Sequence, residues 1–330
     1  MQLTGNMNPM NKTGIAVCGN VLVDLINQIQ AYPNAGELTK ITGLEKSVGG
    51  CVPNVAIDLK KICPELTVRA IGNIGADDNG AFVRQVLSSH GLELSGLKTV
   101  DDATSFTQVM SVTGGQRTFF TYAGADGSLC AEDLEFSQDP PAILHLGYFL
   151  LLKKVDEGEG LKILQKASAA GVLTSIDLVS ENSDRYPLVL PCLPYTDFLI
   201  INELEAAKLT GMDGTNLPAI AQRLKNMGVR KKVIIHMPDR AICYSDEGLT
   251  ILPSYDIPKE DIVGTTGAGD AFCAGALYAI YQGRNDKEIL EFASSAAVAA
   301  LRSADATGGL RTEAEIWADC KPYRRKELCL

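Results

Sequence analysis

Short β-rich runs and stretches of helical period take turns along nearly the whole chain. Strands separated by a helix pair in parallel, because the crossover carries the chain back to the same end of the sheet. Ile15–Val23 is a continuous apolar run of strand length. After Gly49-Gly50, the residues Val52, Val55, Ala56, Leu59 and Ile62 recur at helical spacing, with Pro53 where a first turn accepts it. Val68–Ile71 reads as a strand, and Phe82, Val83, Val86 and Leu87 as a helical stripe ended by Gly91. Leu161–Ala170 predicts a helix before the strand Val172–Ile176. Phe198–Ile201 predicts a strand, followed by helices over Glu203–Leu209 and Leu217–Met227 that close at Gly211 and Gly228. Val233–Ile235 completes the strands, with helices over Ala268–Tyr281 and Lys287–Leu301. The expected fold is α/β: a doubly wound, mostly parallel sheet with helices on both faces. Glu37–Val48 and Ser105–Tyr122 break the alternation. Their β patterning predicts a small β-sheet lid projecting from the main sheet, with ordinary surface hairpins as the plainer alternative.

With 330 residues, 46% of them hydrophobic, the chain buries a sizeable core in one large or two small domains. A net charge of -10 repels phosphate backbones, so no nucleic-acid partner is expected, although backbone N–H groups can still hold a small anion. The 9 cysteines are odd in number and form no Cys-x-x-Cys pair, which points to reduced thiols in the cytoplasm. The terminus MQLTGNMNPMNKTG has no apolar signal core. Ala142–Leu152, the longest apolar run, contains His145 and is too short to cross a bilayer, so a soluble protein with no membrane partner is expected.

The chemistry concentrates in Gly264-Thr-Thr-Gly-Ala-Gly-Asp-Ala-Phe-Cys-Ala-Gly. Glycines leading into an apolar helix bring unpaired N–H groups and the positive end of the helix dipole together, which makes an anion site. The stretch has neither the lysine of a P-loop nor, at Phe272, the third glycine of a dinucleotide fingerprint. Asp270 stands in the first helical turn, placed to take a proton from an alcohol beside that site, or simply to cap the helix. Gly49-Gly50 precedes Asn54, whose amide can donate to and accept from hydroxyls, and a tight strand-to-helix turn is the simpler explanation. Asp24 is read as ending the first strand, at the edge where α/β sheets bind ligands, or as capping a turn. Asn202 and Glu205 lie three residues apart on one helical face, suited to the water shell of Mg²⁺ or to a capped helix start.

Taken together these motifs resemble the PfkB/ribokinase-type carbohydrate kinases over nearly the whole chain. Gly19 to Asp24 looks like the sugar-binding strand end, and Gly49-Gly50-x-x-x-Asn54 like the amino-terminal signature. Gly75-Ala-Asp-Asp-Asn-Gly80 looks like the following turn, Asn202-x-x-Glu205 like the magnesium-associated motif, and Thr265-Thr266-Gly-Ala-Gly-Asp270 like the carboxyl-terminal signature. The resemblance implies transfer of the γ-phosphoryl group of ATP to a hydroxymethyl group of a free sugar, such as ribose, fructose or 2-keto-3-deoxygluconate. Asp270 would be the general base, Thr266, Gly267, Ala268 and Gly269 would bind ATP and form the anion hole, and Asn202 and Glu205 would order Mg²⁺ through water. Asp24, Gly49, Gly50 and Asn54 would hold the sugar, with Arg117 on the lid as a further contact or a surface ion pair. A nucleoside or phosphosugar kinase, or a sugar sensor without catalysis, are the alternatives; a nicotinamide oxidoreductase is poorly supported.

The implied division is residues 13–36, 49–104 and 123–320 as kinase core, 37–48 and 105–122 as lid, and 1–12 and 321–330 as tails, with the basic stretch from Lys321 a solvated terminus. Relatives that dimerise through the lid make a homodimer an expectation. Gly264 stands where the family signature usually opens with an aspartate that helps bind a monovalent cation, so K⁺ activation is left open. His236-Met-Pro-Asp-Arg-Ala241 replaces a usual Thr-x-Gly-x-x-Gly segment along the nucleotide. His90 and His145 are expected to be structural, and Cys51 a small packing residue.

Overall fold

The computed structural model describes residues 12–112 and 115–327; the amino-terminal residues 1–11, lid residues 113–114 and residues 328–330 lie outside the described residues. The chain begins β1 (Ile15–Cys18), β2 (Leu22–Ile29), β3 (Ile41–Gly49), α1 (Cys51–Ile62), β4 (Val68–Gly75), α2 (Asp78–Ser89) and β5 (Glu93–Val100). It continues through β6 (Phe106–Val112), β7 (Arg117–Tyr122), β8 (Ile143–Phe149), α3 (Gly160–Ala169), β9 (Leu173–Leu178), β10 (Phe198–Asn202) and α4 (Glu203–Thr210). Then come α5 (Leu217–Asn226), β11 (Lys232–His236), β12 (Arg240–Ser245), β13 (Gly248–Pro253), α6 (Ala268–Tyr281), α7 (Asp286–Ala300) and α8 (Glu313–Cys320).

Nine strands form one sheet in the order β13-β12-β11-β10-β9-β8-β1-β4-β5. Pairing is parallel from β11 across to β5 and antiparallel at the β11–β12–β13 edge. Side chains of a strand alternate between faces, and the two cores show it. Ile15 and Val17 pack with Val52 of α1, Ala274 of α6 and Phe292 of α7, whereas Ala16 and Cys18 pack with Ile163 of α3, Leu209 of α4 and Leu224 of α5. The expected doubly wound α/β architecture is present, with helices on both faces.

Four further strands, β3-β2-β6-β7, make the small sheet. The sequence reading placed Ile15–Val23 in one strand of the core; the run instead breaks after Cys18, and Leu22–Ile29 becomes an inner strand of the small sheet, paired with β3 and β6. Apolar content alone does not mark where a chain changes sheets. The turn is set by polar contacts: the Val21 N–H donates to the buried Asp126 carboxylate (2.9 Å) and the Cys51 N–H to Asn20 Oδ1 (2.8 Å). The run Ala142–Leu152 contains the buried strand β8, and no described helix is long and apolar enough to cross a membrane. The basic stretch after Lys321 also departs from expectation. Arg325 bridges Tyr255 and lays its guanidinium over that ring (4.2 Å), and the Lys326 N–H donates to the Ser254 carbonyl (2.9 Å). Arginine stacking and backbone pairing hold this stretch to the β13 edge where charge alone suggested solvation.

Candidate active site

Parallel α/β sheets present ligands with the carboxyl ends of their strands, and here those ends carry the polar groups. Asn20 follows β1, Tyr148 and Asp177 lie near the ends of β8 and β9, and Asn202 and His236 end β10 and β11. α6 starts opposite them. Its N-cap, Gly267, has φ +78 and lies so close to the 303–306 loop that a Cβ would stand 2.2 Å from the Ala306 carbonyl oxygen. Only glycine accepts both conditions. The Ala268 N–H donates to the Thr265 carbonyl oxygen (3.3 Å). Of the anion-hole amides expected from the sequence, Ala268 is engaged by this bond, whereas Gly267, Gly269 and the neighbouring Asp270 donate to no backbone partner among the described residues. Thr266 is exposed and lines neither cavity of the site, a place taken by Thr265.

Asp270 is 7% exposed and does not cap its helix. Its carboxylate accepts from Asn54 Nδ2 (2.9 Å) and from the Tyr148 hydroxyl at both oxygens (3.0 and 3.1 Å). Burial, followed by the charge of Asp177, pushes its pKa up to about 7, against the opposing pull of the Asn54 and Tyr148 hydrogen bonds. A carboxylate poised there accepts a proton at neutral pH, as a general base requires.

The expected acceptor side converges on the same carboxylate. Asp24 does not end the first strand as the sequence suggested; it lies within β2, opposite Ser47 of β3. Its Oδ2 faces Gly49, where a Cβ would stand 2.3 Å away. Burial raises its pKa to about 6. Gly50, at φ +93, sits against the Asn20 carbonyl (2.7 Å to an added Cβ) and delivers the chain into α1, so that Asn54 in the first turn reaches Asp270. Asp24, Gly49, Gly50 and Asn54 thus follow one path of contacts that ends at Asp270. Arg117 is exposed on β7 and does not line either cavity beside Asp270. In the Gly75–Gly80 turn, Asp77 caps α2 and binds Thr104, a structural role.

Asn202 and Glu205 form a complete capping box: Asn202 Oδ1 accepts the Glu205 N–H (2.9 Å) and the Glu205 carboxylate accepts the Asn202 N–H (3.0 Å) and the Ser180 hydroxyl (2.8 Å). Both residues also line a cavity of about 220 Å³ shared with Asp177, Gly267, Gly269 and Asp270. Burial raises the Glu205 pKa to about 7. Three carboxylates and no Lys or Arg line this cavity. That donor set suits a hard, hydrated divalent cation that keeps most of its water. Because the box already uses their oxygens, Asn202 and Glu205 would hold Mg²⁺ through its water shell.

A second cavity, of about 610 Å³ and mostly apolar, adjoins the start of α6 on the β11–β13 side. Met237, Pro238, Tyr255, Ala297 and Val298 line it, with Lys326 as its cation. His236, from the altered segment, stacks on Phe272 (4.7 Å between centroids) between the two cavities. Burial pushes its pKa down to about 4, so the ring is neutral. The segment lacks the glycines expected there but still walls a nucleotide-sized space.

Sequence reasoning missed Tyr148, Asn20, Asp177 and Lys326. Tyr148 has φ +60 although it is not glycine, and its N–H donates to Asp177 Oδ1 (2.6 Å). Strained backbone of this kind clusters at functional sites, but a tyrosine inside an apolar strand carries no local signal. Its hydroxyl holds the Asp270 carboxylate in its charged form. A hydrogen bond to a charged group contributes about 1.5–3 kcal/mol, equivalent to about one pKa unit or more. Tyr148→Phe therefore moves the acidic limb of the kcat/KM–pH profile upward; an unmoved limb contradicts this role.

A buried carboxylate beside a helix-terminal anion site, between a large apolar cavity and a lid sheet, defines a kinase of a small alcohol. Residues 12–313 match the pfkB family carbohydrate kinase model, and the chain belongs to that family. As a carbohydrate kinase of that family it is a phosphotransferase with an alcohol acceptor. It is 26% identical to a ribokinase of Arabidopsis thaliana over 89% of this chain and 79% of that protein. It is 28% identical to an aminoimidazole riboside kinase of Salmonella typhimurium, over 83% of this chain and 82% of that protein. The solved structure of Arabidopsis thaliana ribokinase complexed with ribose and ATP shares the fold, with a TM-score of 0.80 at 23% identity over 93% of this chain and 98% of that one.

Proposed function

We propose that this kinase transfers the γ-phosphoryl group of ATP to a hydroxymethyl group of a free sugar of the ribose, fructose or 2-keto-3-deoxygluconate kind. The observation that carries this reading is the single carboxylate on which both halves of the site converge, Asp270, bound by Asn54 from the acceptor side and set in the first turn of α6. Asp270 takes the hydroxyl proton, while the Gly267 and Gly269 amides hold the charge that develops on the transferring group. Asp24, the Gly49-Gly50 backbone and Asn54 orient the sugar hydroxyls. Asp177 and the Asn202–Glu205 box would order Mg²⁺ through its water shell, and the ion would supply charge neutralisation for the phosphates.

A free-sugar acceptor also fits the charge pattern: the basic residues of the acceptor side are chiefly Lys46, which lies over the Phe82 ring (4.5 Å), and Arg117, which is exposed. An ADP-release assay with Mg²⁺–ATP across ribose, fructose, 2-keto-3-deoxygluconate, nucleosides and ribose 1-phosphate tests the reading. Turnover on a free sugar supports it; turnover on a nucleoside or phosphosugar alone overturns the acceptor, and no turnover with retained sugar binding makes the protein a sensor. Leu44 and Phe119 of the small sheet are 79% and 61% exposed, which fits a homodimer through the lid; light scattering that returns a monomer refutes it.

We infer K⁺ independence from Gly264. A Cβ there would stand 2.7 Å from the Ser303 carbonyl oxygen and 3.1 Å from Ala304 Cα, so the loop has no room for the usual aspartate. Replacing KCl with tetramethylammonium chloride at equal ionic strength leaves kcat unchanged. A rate that collapses without K⁺ contradicts this.

A further inference from the structure

We propose that His145, Asp177 and Cys273 form a site for a thiophilic divalent cation, zinc by its ligand chemistry, that shuts the kinase off through its charge in the cavity shared with Asp270. The three side chains come from β8, β9 and α6, all are buried, and their ligand atoms lie within 4.8 Å of one another. His145 Nε2 is 3.5 Å from Asp177 Oδ2 and 3.6 Å from Cys273 Sγ. A tetrahedron with Zn–N and Zn–O bonds of about 2.1 Å and a Zn–S bond of about 2.3 Å has edges of about 3.4 and 3.6 Å. The metal-free side chains already stand close to that separation around the imidazole nitrogen.

The imidazole is oriented for this use. His145 Nδ1 lies 3.1 Å from Ser175 Oγ, so a proton on Nδ1 has an acceptor and the Nε2 lone pair points at the other two groups. That arrangement is not a nucleophile relay, because the same nitrogen meets both the thiol and the carboxylate. Burial keeps the Cys273 thiol protonated until a metal takes its place. On binding, the thiol proton leaves to solvent and the S–M and N–M bonds form with no change of oxidation state. A dication with one thiolate and one carboxylate is then electrically neutral, the condition a buried site favours. Mg²⁺ prefers oxygen ligands and near-octahedral geometry, so it does not compete well here.

The effect on the reaction follows from the helix. Asp270 lies one turn before Cys273 on α6, and Asp177, Cys273 and Asp270 line the same cavity. A cation held by the three ligands keeps a water as its fourth ligand and sets its charge in the cavity that Asp270 also lines, so the carboxylate is drawn toward the cation and away from the acceptor hydroxyl. This proposal does not depend on which alcohol the enzyme phosphorylates, and its first readout needs no substrate.

The test titrates metal-free, full-length protein with Co²⁺ and with Zn²⁺. One Co²⁺ per chain with the intense visible bands of tetrahedral coordination and a thiolate charge-transfer band is expected. Cys273→Ser removes the charge-transfer band and His145→Gln the tetrahedral pattern, with circular dichroism confirming the fold. Ser175→Ala, which keeps all three ligands, weakens zinc affinity about 10–100-fold and serves if a ligand variant fails to fold. Zinc inhibition of turnover, reversed by chelator, completes the support. A cobalt spectrum without thiolate character, or one that survives Cys273→Ser, overturns the site; full activity with zinc bound at it overturns the inhibition.

Discussion

Asp270→Asn lowers kcat by about 10²–10⁴-fold, the range a positioned general base contributes, and at the same time makes the protein harder to unfold at neutral pH. The first effect follows from the lost proton acceptor. The second follows from burial. Asp270 has its pKa raised from 3.8 to about 7 in the folded protein. Between those two values the unfolded chain has released the proton and the folded chain still holds it, so this residue makes stability fall as pH rises through that window. Above pH 7 the full penalty of an ionised, buried carboxylate is present, on the order of 2–4 kcal/mol. An asparagine carries no such charge. Its carbonyl oxygen accepts from Tyr148, and Asn54, whose Oδ1 has no partner among the described residues, turns over to accept from the introduced amide. With an unfolding entropy of about 2.1 cal/mol/K per residue, the variant gains about 3–6 °C in Tm at pH 8, shrinking toward zero near pH 4. Calorimetry across that range, beside steady-state rates, checks both halves. A variant that is both inactive and less stable at pH 8 contradicts the buried-base assignment. In the wild type the same ionisation makes activity rise with pH through about 7.

Much of this site is legible because its parts are local. Gly267-Ala268-Gly269-Asp270 is at once the end of a loop, the start of a helix and an anion site, so three constraints meet in four residues. Asn202 and Glu205 are equally local, and their spacing alone anticipates the capping box that the structure contains. What the sequence conceals is long-range. Asn54 and Tyr148 lie 216 and 122 residues from the Asp270 they bind, and no pattern near either residue announces that bond. The sheet assignment of Asp24 failed for a related reason. β1 and β2 read as one apolar run, and the break between them depends on Asp126, 105 residues beyond Val21. Lys326 was assigned to a free tail because its partner edge, β13 and Ser254, cannot be seen from charge. Periodicity recovers the faces of strands and helices, while the contacts that turn a sheet edge into a site come from elements far apart in the chain.

Gly267→Ala is expected to damage both the fold and the chemistry. The residue has φ +78, where an L side chain costs about 1–2 kcal/mol. Its new Cβ would stand 2.2 Å from the Ala306 carbonyl oxygen and 2.6 Å from Ala306 Cα, contacts with backbone that only a shift of the 303–306 loop or of the α6 start relieves. Overpacking of that kind costs about 1–3 kcal/mol more. The sum corresponds to a drop of about 3–7 °C in Tm for a chain of this length. The shift also displaces the Gly267 and Gly269 amides from the transferring group. Loss of one oxyanion-type donor lowers kcat by about 10²–10³-fold, so a loss in that range is expected with KM for the acceptor little changed, because Asp24 and Asn54 are not moved. Gly283→Ala is the matched control, at φ +71 with nothing within 4 Å of its added Cβ. It should share the conformational cost, about 1–2 kcal/mol, and none of the kinetic one. Equal kinetic losses in the two variants would mean that the start of α6 has no special part in the transfer.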